Sequence, residues 1–370
     1  MMKEEREYAY WLCSIPGIGE KTINMLLDVY AEPGRIYEAS ETELGKLLKG
    51  KQLESILHMQ KNWKRKEEWE RLREAGIQVV FRGEKQYPER LSHIPDAPFA
   101  LFYKGRLPQE EKLSVAVVGA RECSQYGAYV SCELGKYLGT CGIQVISGMA
   151  RGIDGISQMA ALQVGGSSFG VLGSGVDVCY PKSNRGLYER LQECGGVLSS
   201  YLPGTNPAAG NFPPRNRIVS GLADALVVVE ARAKSGTLIT VDLALEQGRD
   251  VFVVPGRITD RLSDGCNRLI TQGAAVFLTP EDFVEQLRKH TGQKGVKRRN
   301  GPEESVEPKK ELPKELVTVY RQLELTPKSM DEILLRLPDG YNQVTLSAAL
   351  MRLCVEGYAK QVSAGRFVLS

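Results

Sequence analysis

Histidine is scarce in this sequence: three of 370 residues, His58, His93 and His290, none in a glycine-rich loop. A histidine-based triad or general base is therefore not expected. No GxxxxGK[ST] loop is present and no clean GxGxxG opens the first strand-helix unit, which argues against an ATPase or a dehydrogenase. There is no CxxC pair either. The eight cysteines (Cys13, Cys123, Cys132, Cys141, Cys179, Cys194, Cys266 and Cys354) fall mostly in apolar or glycine-rich stretches and read as reduced thiols of a cytosolic protein. Cys123, Cys132 and Cys141 are evenly spaced, but wider than zinc ligands and without a nearby histidine, so neither metal nor cofactor is expected. No stretch approaches the roughly 18 apolar residues of a membrane span, and MMKEEREYAYWL at the start has no long apolar segment. The expectation is a cytoplasmic protein with no membrane partner. An excess of one charge is also missing. Lys plus Arg number 48 against 45 Asp plus Glu, so nucleic-acid binding would have to come from local clustering.

What is present is an ordinary globular composition, 42% apolar and 25% charged, on a chain long enough for two or three domains. Residues 1–72 alternate apolar and charged positions at helical spacing, broken by Pro16-Gly17, Gly19, Pro33-Gly34 and Gly50. Four or five short helices are predicted, a SAM-like domain in which residues 15–22 (IPGIGEKT) resemble a helix-hairpin-helix turn. Residues 73–286 change to short β-branched runs: 77–81, 114–118, 143–146, 169–172, 225–229 and 250–254. Continuous apolar runs separated by helices predict a Rossmann-like, doubly wound α/β sheet of mostly parallel strands. Residues 287–312 become charged, with Pro and Gly, and read as a linker. Residues 313–370 recover a helical period. Ser329 and Glu332 form a capping box, residues 344–357 a second amphipathic helix, and two short strands follow, which predicts a winged helix.

Ligands of doubly wound folds sit beyond the carboxyl ends of the strands, where helix N-termini present unpaired N–H groups. Three successive strand ends here are glycine-rich and basic. The first is Gly119-Ala120-Arg121, where the planar guanidinium suits a phosphate. The second is Ser147-Gly148-Met149-Ala150-Arg151, with Asp154 placed to cap the next helix, and the third runs from Gly173 to Tyr180-Pro181-Lys182. Phe212-Pro213-Pro214-Arg215-Asn216-Arg217 adds cations, an amide and a ring able to stack on an unpaired base; the plainer reading makes Phe212 core and the arginines a solvated helix face. Lys234-Ser235-Gly236-Thr237 opens another helix and can hold a further phosphate.

These stretches resemble the DprA (Smf, DNA-processing protein A) family. The matching segments are residues 87–105, 115–127, 147–154, 171–182, 212–231, 234–240, 248–256 and 264–274, covering roughly residues 77–280. The resemblance implies a protein that binds and protects incoming single-stranded DNA, helps load the RecA recombinase during natural transformation, forms homodimers and has no established catalytic reaction. It implies that Arg121 and Lys182 contact phosphate. It brings Gly119, Ser147, Gly148, Arg151, Phe212, Arg215, Asn216, Arg217, Lys234, Ser235 and Asn267 into the candidate binding set. Gln158 departs from the family's usual histidine, and Ala120 from its usual serine. The alternative is a Rossmann-fold nucleotide phosphoribohydrolase, which KSGTLIT resembles; where that group has a catalytic glutamate this chain has Thr240.

Overall fold

A computed structural model describes residues 2–292, 314–324, 327–338, 340–363 and 365–369. They fall into two compact units, residues 2–122 with 131–292, and residues 123–130 with those from 314 onward.

The first unit begins with six helices, one more than the breaks in the pattern suggest: α1 (Lys3–Ser14), α2 (Glu20–Tyr30), α3 (Pro33–Glu38), α4 (Glu41–Leu44), α5 (Lys51–Asn62) and α6 (Arg65–Glu74). Ser40 caps α4, and its reciprocal capping box with Glu43 explains why so short a helix forms. Trp11, Leu12, Leu26, Ile36, Leu44 and Ile56 are fully buried between the helices. Each such aliphatic side chain contributes about 1.5–3 kcal/mol on leaving water. The same apolar cluster takes in Val79, Phe81 and Phe102, so the helical domain shares its core with the edge of the sheet that follows. A polar contact reinforces the join: Phe99 N–H donates to Glu20 Oε2 at 2.8 Å.

The sheet domain then runs β1 (Gln78–Phe81), α7 (Glu89–Ser92), β2 (Ala100–Gly105), β3 (Ser114–Val118), α8 (Gln125–Thr140), β4 (Gln144–Ser147), α9 (Ile153–Gln163), β5 (Ser168–Val171), α10 (Arg185–Cys194) and β6 (Gly196–Ser199). It continues through α11 (Phe212–Gly221), β7 (Ala225–Val228), α12 (Gly236–Glu246), β8 (Asp250–Val253), α13 (Asp264–Thr271), β9 (Ala275–Val276) and α14 (Pro280–Thr291). The strand order is β1-β2-β6-β5-β4-β3-β7-β8-β9. All neighbours from β6 to β9 pair in parallel. This is the doubly wound α/β sheet that the apolar runs predict. Two corrections apply. The run at 77–81 is antiparallel to β2, which is itself antiparallel to β6. The helix α14 continues through residues 287–291, with Leu287 buried, so the first part of the stretch read as a linker is helical. Residues 293–312 of that stretch lie outside the described residues.

The chain winds from β3 through β4 and β5 to β6 on one side, then returns to place β7 on the other flank of β3. The topological switch point therefore lies between β3 and β7. At the sheet's outer edge, Arg6 donates to Val79 O at 2.6 Å and Phe81 N–H donates to Glu84, while Arg6 and Glu84 pair at 3.3 Å. At the opposite end both residues of β9 are exposed, and Leu278 beyond it is 72% exposed.

The second unit contains α15 (Lys314–Tyr320), β10 (Lys328–Ser329), α16 (Met330–Leu334), α17 (Gln343–Val355), β11 (Ala359–Ser363) and β12 (Arg366–Leu369). Its strands order β10-β12-β11, the winged-helix arrangement. The Ser329–Glu332 capping box is formed, and Leu346, Leu350 and Leu353 line the core face of α17. The outer face of that helix carries Val344, Met351 and Val355, all well exposed.

Candidate nucleic-acid interface

The switch point holds a groove of about 480 Å³ built from the ends of β3, β4 and β7. Its walls carry five cations, Arg121, Arg151, Arg215, Arg232 and Lys234, against the carboxylates Glu122 and Asp154. A smaller recess of about 180 Å³ shares Arg121, Arg151, Phe212 and Arg215 with it and reaches Tyr180 and Pro181.

The loops that form the groove interlock. Ser147 is fully buried and its Oγ donates to Val117 O at 2.6 Å, riveting β4 to β3. Gly152 has φ +73°, and a Cβ there would lie 2.3 Å from Ala120 O. Only glycine fits where the second loop crosses the first. Between them Met149 is fully buried with φ +53°, a conformation costing a non-glycine residue about 1–3 kcal/mol. Four side chains hold it. Gly148 N–H donates to Asp154 Oδ2 at 3.1 Å, and Met149 N–H donates to Gln158 Oε1 at 3.2 Å. Asn184 Nδ2 donates to Met149 O and Ala150 O at 3.0 Å each, while Arg215 Nη1 donates to Gly148 O at 2.7 Å. On the β7 side Ser235 caps α12 by accepting from Thr237 N–H at 3.2 Å, and Thr237 Oγ1 donates to Gly119 O at 3.3 Å. The N-terminus of α12 is thus fastened beside Arg121, with its dipole directed into the groove.

Arg215 and Asp154 form the electrostatic centre. Arg215 is 5% exposed and also donates to Val171 O and to Asn216 Oδ1. Burial pulls its guanidinium down to about 10, opposed by the Asp154 carboxylate and assisted by Arg121, so it stays charged at neutral pH. Desolvation pushes the Asp154 carboxyl above its ordinary value, against the pull of Arg215, the Ser147 hydroxyl and the Ala150 and Gly148 amides. Buried charges of this kind fix geometry more than they add stability.

The groove gathers Gly119, Arg121, Gly148, Arg151, Phe212, Arg215, Asn216, Lys234 and Ser235 of the candidate set. Within it Arg121, Arg151 and Lys234 are exposed, whereas Arg215 is a buried brace. Four candidates stand elsewhere. Ser147 is the rivet just described. Lys182 is exposed in the 3₁₀ turn Lys182–Asn184 and lines neither recess. The Asn267 amide clasps both N–H and O of Gly256. Arg217 turns toward the helical domain, where its charge lowers the pKa of Glu20 against burial; its Nε is buried without a partner among the described residues. The sequence reading missed Arg232, whose signal is its place beside Lys234 at the same strand end.

The family model for DNA recombination-mediator protein A matches residues 78–288. The chain is 46% identical over 201 residues to the DNA processing protein DprA of Streptococcus pneumoniae, covering 54% of this chain and 71% of that one. It is 34% identical over 289 residues to Protein Smf of Synechocystis sp., covering 76% and 73%. The solved structure of Streptococcus pneumoniae DprA superposes with a TM-score of 0.68 at 35% identity, over 76% of this chain and 97% of that one. DNA processing protein A of Helicobacter pylori superposes with a TM-score of 0.53 at 28% identity, over 58% and 96%; that structure concerns its single-stranded DNA binding mode.

Proposed function

Since the chain belongs to the DNA recombination-mediator protein A (DprA/Smf) family, we propose that it is a DNA-processing protein that binds single-stranded DNA in the groove at the switch point. The observation that carries this reading is the convergence of exposed Arg121, Arg151, Arg232 and Lys234 with the N-terminus of α12 in one open groove. Cations and backbone amides hold phosphates without reading bases. The family resemblance extends the proposal to the division of labour across residues 1–72, 73–286 and 313–370. It extends it also to protection of incoming DNA, loading of RecA on it during natural transformation, homodimer formation and action in the cytoplasm.

We read the groove as a binding site rather than a catalytic one. Thr240, at the place of the hydrolase glutamate, is 3% exposed, and of the two carboxylates on the groove wall the buried one, Asp154, is committed to the Gly148 amide. No helix among the described residues is long and apolar enough to cross a membrane, and no group of acidic, His or Cys residues among them could hold a metal.

Fluorescence anisotropy with single-stranded and duplex oligonucleotides at several salt concentrations tests the reading. Tighter binding to single strands is expected. With about four phosphates engaged, log K falls with log salt at a slope of about −3. Equal affinity for both forms, or binding indifferent to salt, would overturn it.

A further inference from the structure

Helix α17 is apolar on two opposite faces. Leu346, Leu350 and Leu353 close the core of the second unit. Val344, Ala348, Met351 and Val355 follow one another at intervals of four, three and four residues, which at about 3.6 residues per turn puts them in a stripe about 60° wide on the far side. All four are exposed, Val344 to 78%, Met351 to 66% and Val355 to 88%. A helix with apolar side chains all round is ordinarily buried all round. This face is also the one a DNA-reading winged helix lays in the major groove, and here its centre line offers no hydrogen-bonding side chain to a base edge. The alternation of four and three is instead the spacing of a seam between two packed helices.

We propose that this stripe pairs with itself, α17 of one chain packing antiparallel against α17 of a second copy. The order of the side chains selects that occupant. Turned end for end about the midpoint between Ala348 and Met351, the stripe falls on its own positions: Val344 meets Val355 and Ala348 meets Met351, each twice across the seam. The largest side chain of the stripe thus faces the smallest, which lets the two axes approach to about 8–10 Å. Charge agrees with this alignment. Arg352 and Glu356, already paired at 3.1 Å on one flank, come level with Ser347 and Gln343 of the second copy, so no like charges meet. Pairing of one patch with itself about a two-fold axis is the commonest oligomer contact. Four side chains per helix bury less than the roughly 800 Å² per partner of a stable interface, so the seam joins copies already held near one another and comes apart between free chains. It does not depend on the single-strand reading of the groove.

Disulfide trapping in the full chain tests both the pairing and its register. Val344→Cys and Val355→Cys are made separately, on chains carrying tags of different size, then mixed, oxidised and separated on a non-reducing gel. In the antiparallel seam the two new thiols face each other within the Cα separation of about 7 Å that a disulfide can span, whereas two copies of Val344→Cys hold theirs about 16 Å apart. The mixed pair should therefore cross-link about fivefold more than either variant alone, or than the wild type with its eight native cysteines. Oxidation fixes even a short-lived pair, so the weakness of the seam does not excuse a missing band. Adding Met351→Glu to both chains should bring the mixed band down to the wild-type level, because each carboxylate would be buried without a partner. The methionine it replaces is exposed, and a circular dichroism melt matching the wild type checks that the fold is kept. A mixed band no stronger than the wild type's, or one that survives Met351→Glu, would overturn the pairing and leave the face to a different protein. A band from Val344→Cys alone as strong as the mixed one would overturn the antiparallel register.

Discussion

Replacing Arg215 by methionine separates a structural brace from a ligand contact. The substitution keeps an unbranched apolar stem but removes a guanidinium that is 5% exposed and serves Gly148 O, Val171 O and Asn216 Oδ1. Two buried carbonyls then lose a charged donor, and the buried Asp154 loses the cation that counters its desolvation. Removing one partner from a buried charge pair costs about 3–5 kcal/mol. At about 2–4 °C per kcal/mol for a unit of this size, its melting transition should fall by about 10 °C. The pH dependence follows from the same geometry. Asp154 already titrates above its ordinary value in the folded protein, and without Arg215 it moves higher still. A carboxyl raised on folding favours the folded state below its unfolded pKa, and that benefit is lost as pH rises through the folded pKa. The stability deficit of Arg215→Met should therefore be smaller at pH 5 than at pH 7.5. Urea unfolding at the two pH values, with single-strand affinity measured in parallel, is the assay. A variant as stable as the wild type that nonetheless loses affinity would refute this reasoning and make Arg215 a direct phosphate ligand.

Arg121→Ala, at an exposed position, should leave stability within about 0.5 kcal/mol while weakening single-strand binding and reducing the salt slope by about 0.7, whereas Lys182→Ala, outside both recesses, should do less of each in the same titrations. Gln158→Leu leaves the buried Met149 N–H without its acceptor, so a loss of about 1–3 kcal/mol is expected in urea unfolding, together with weakened DNA binding as the Arg151 loop relaxes. Gln158→His, which retains a ring nitrogen able to accept, should lose less by both measures. Cys266 is fully buried and burial pushes its thiol up to about 12, so it stays protonated and should resist iodoacetamide at pH 8 in the native protein and react on unfolding, as mass spectrometry of the labelled peptide would reveal.

The strands β3, β4, β5, β7 and β8 were legible because each is a continuous apolar run, as burial on both faces demands. Three strands were not. In β6 the strand opens on Gly195-Gly196, which composition presents as a turn. A Cβ at Gly195 would lie 1.8 Å from Ser168 O and one at Gly196 2.0 Å from Arg106 O, so the glycines are there because neighbouring backbone passes too close for any side chain. The strand β2 hides behind a proline-rich approach and ends in Tyr103-Lys104-Gly105, and β9 is only two residues long. Within the site, the strand-end loops and their exposed cations could be located from sequence because fold topology fixes where they converge. The direction of each side chain could not. Arg215 and Arg217 share one helix, two residues apart, yet one braces the groove floor and the other faces the helical domain. Helical phase settles that only once the neighbours of α11 are known.

The two margins of the nine-stranded sheet are unlike. On β1 the outward carbonyl of Val79 and the outward N–H of Phe81 are occupied by the side chains of Arg6 and Glu84, themselves an ion pair, so that margin offers no template to another chain. The β9 margin has no such plug among the described residues, and Val276 and Leu278 stand exposed beside it. A body with one adhesive border and one passivated border can be joined once and is then complete, whereas two adhesive borders would permit indefinite fibre growth. The Arg6–Glu84 pair is thus expected to shield the β1 margin from strand addition, and Glu84→Ala should raise turbidity at high concentration before it changes DNA affinity.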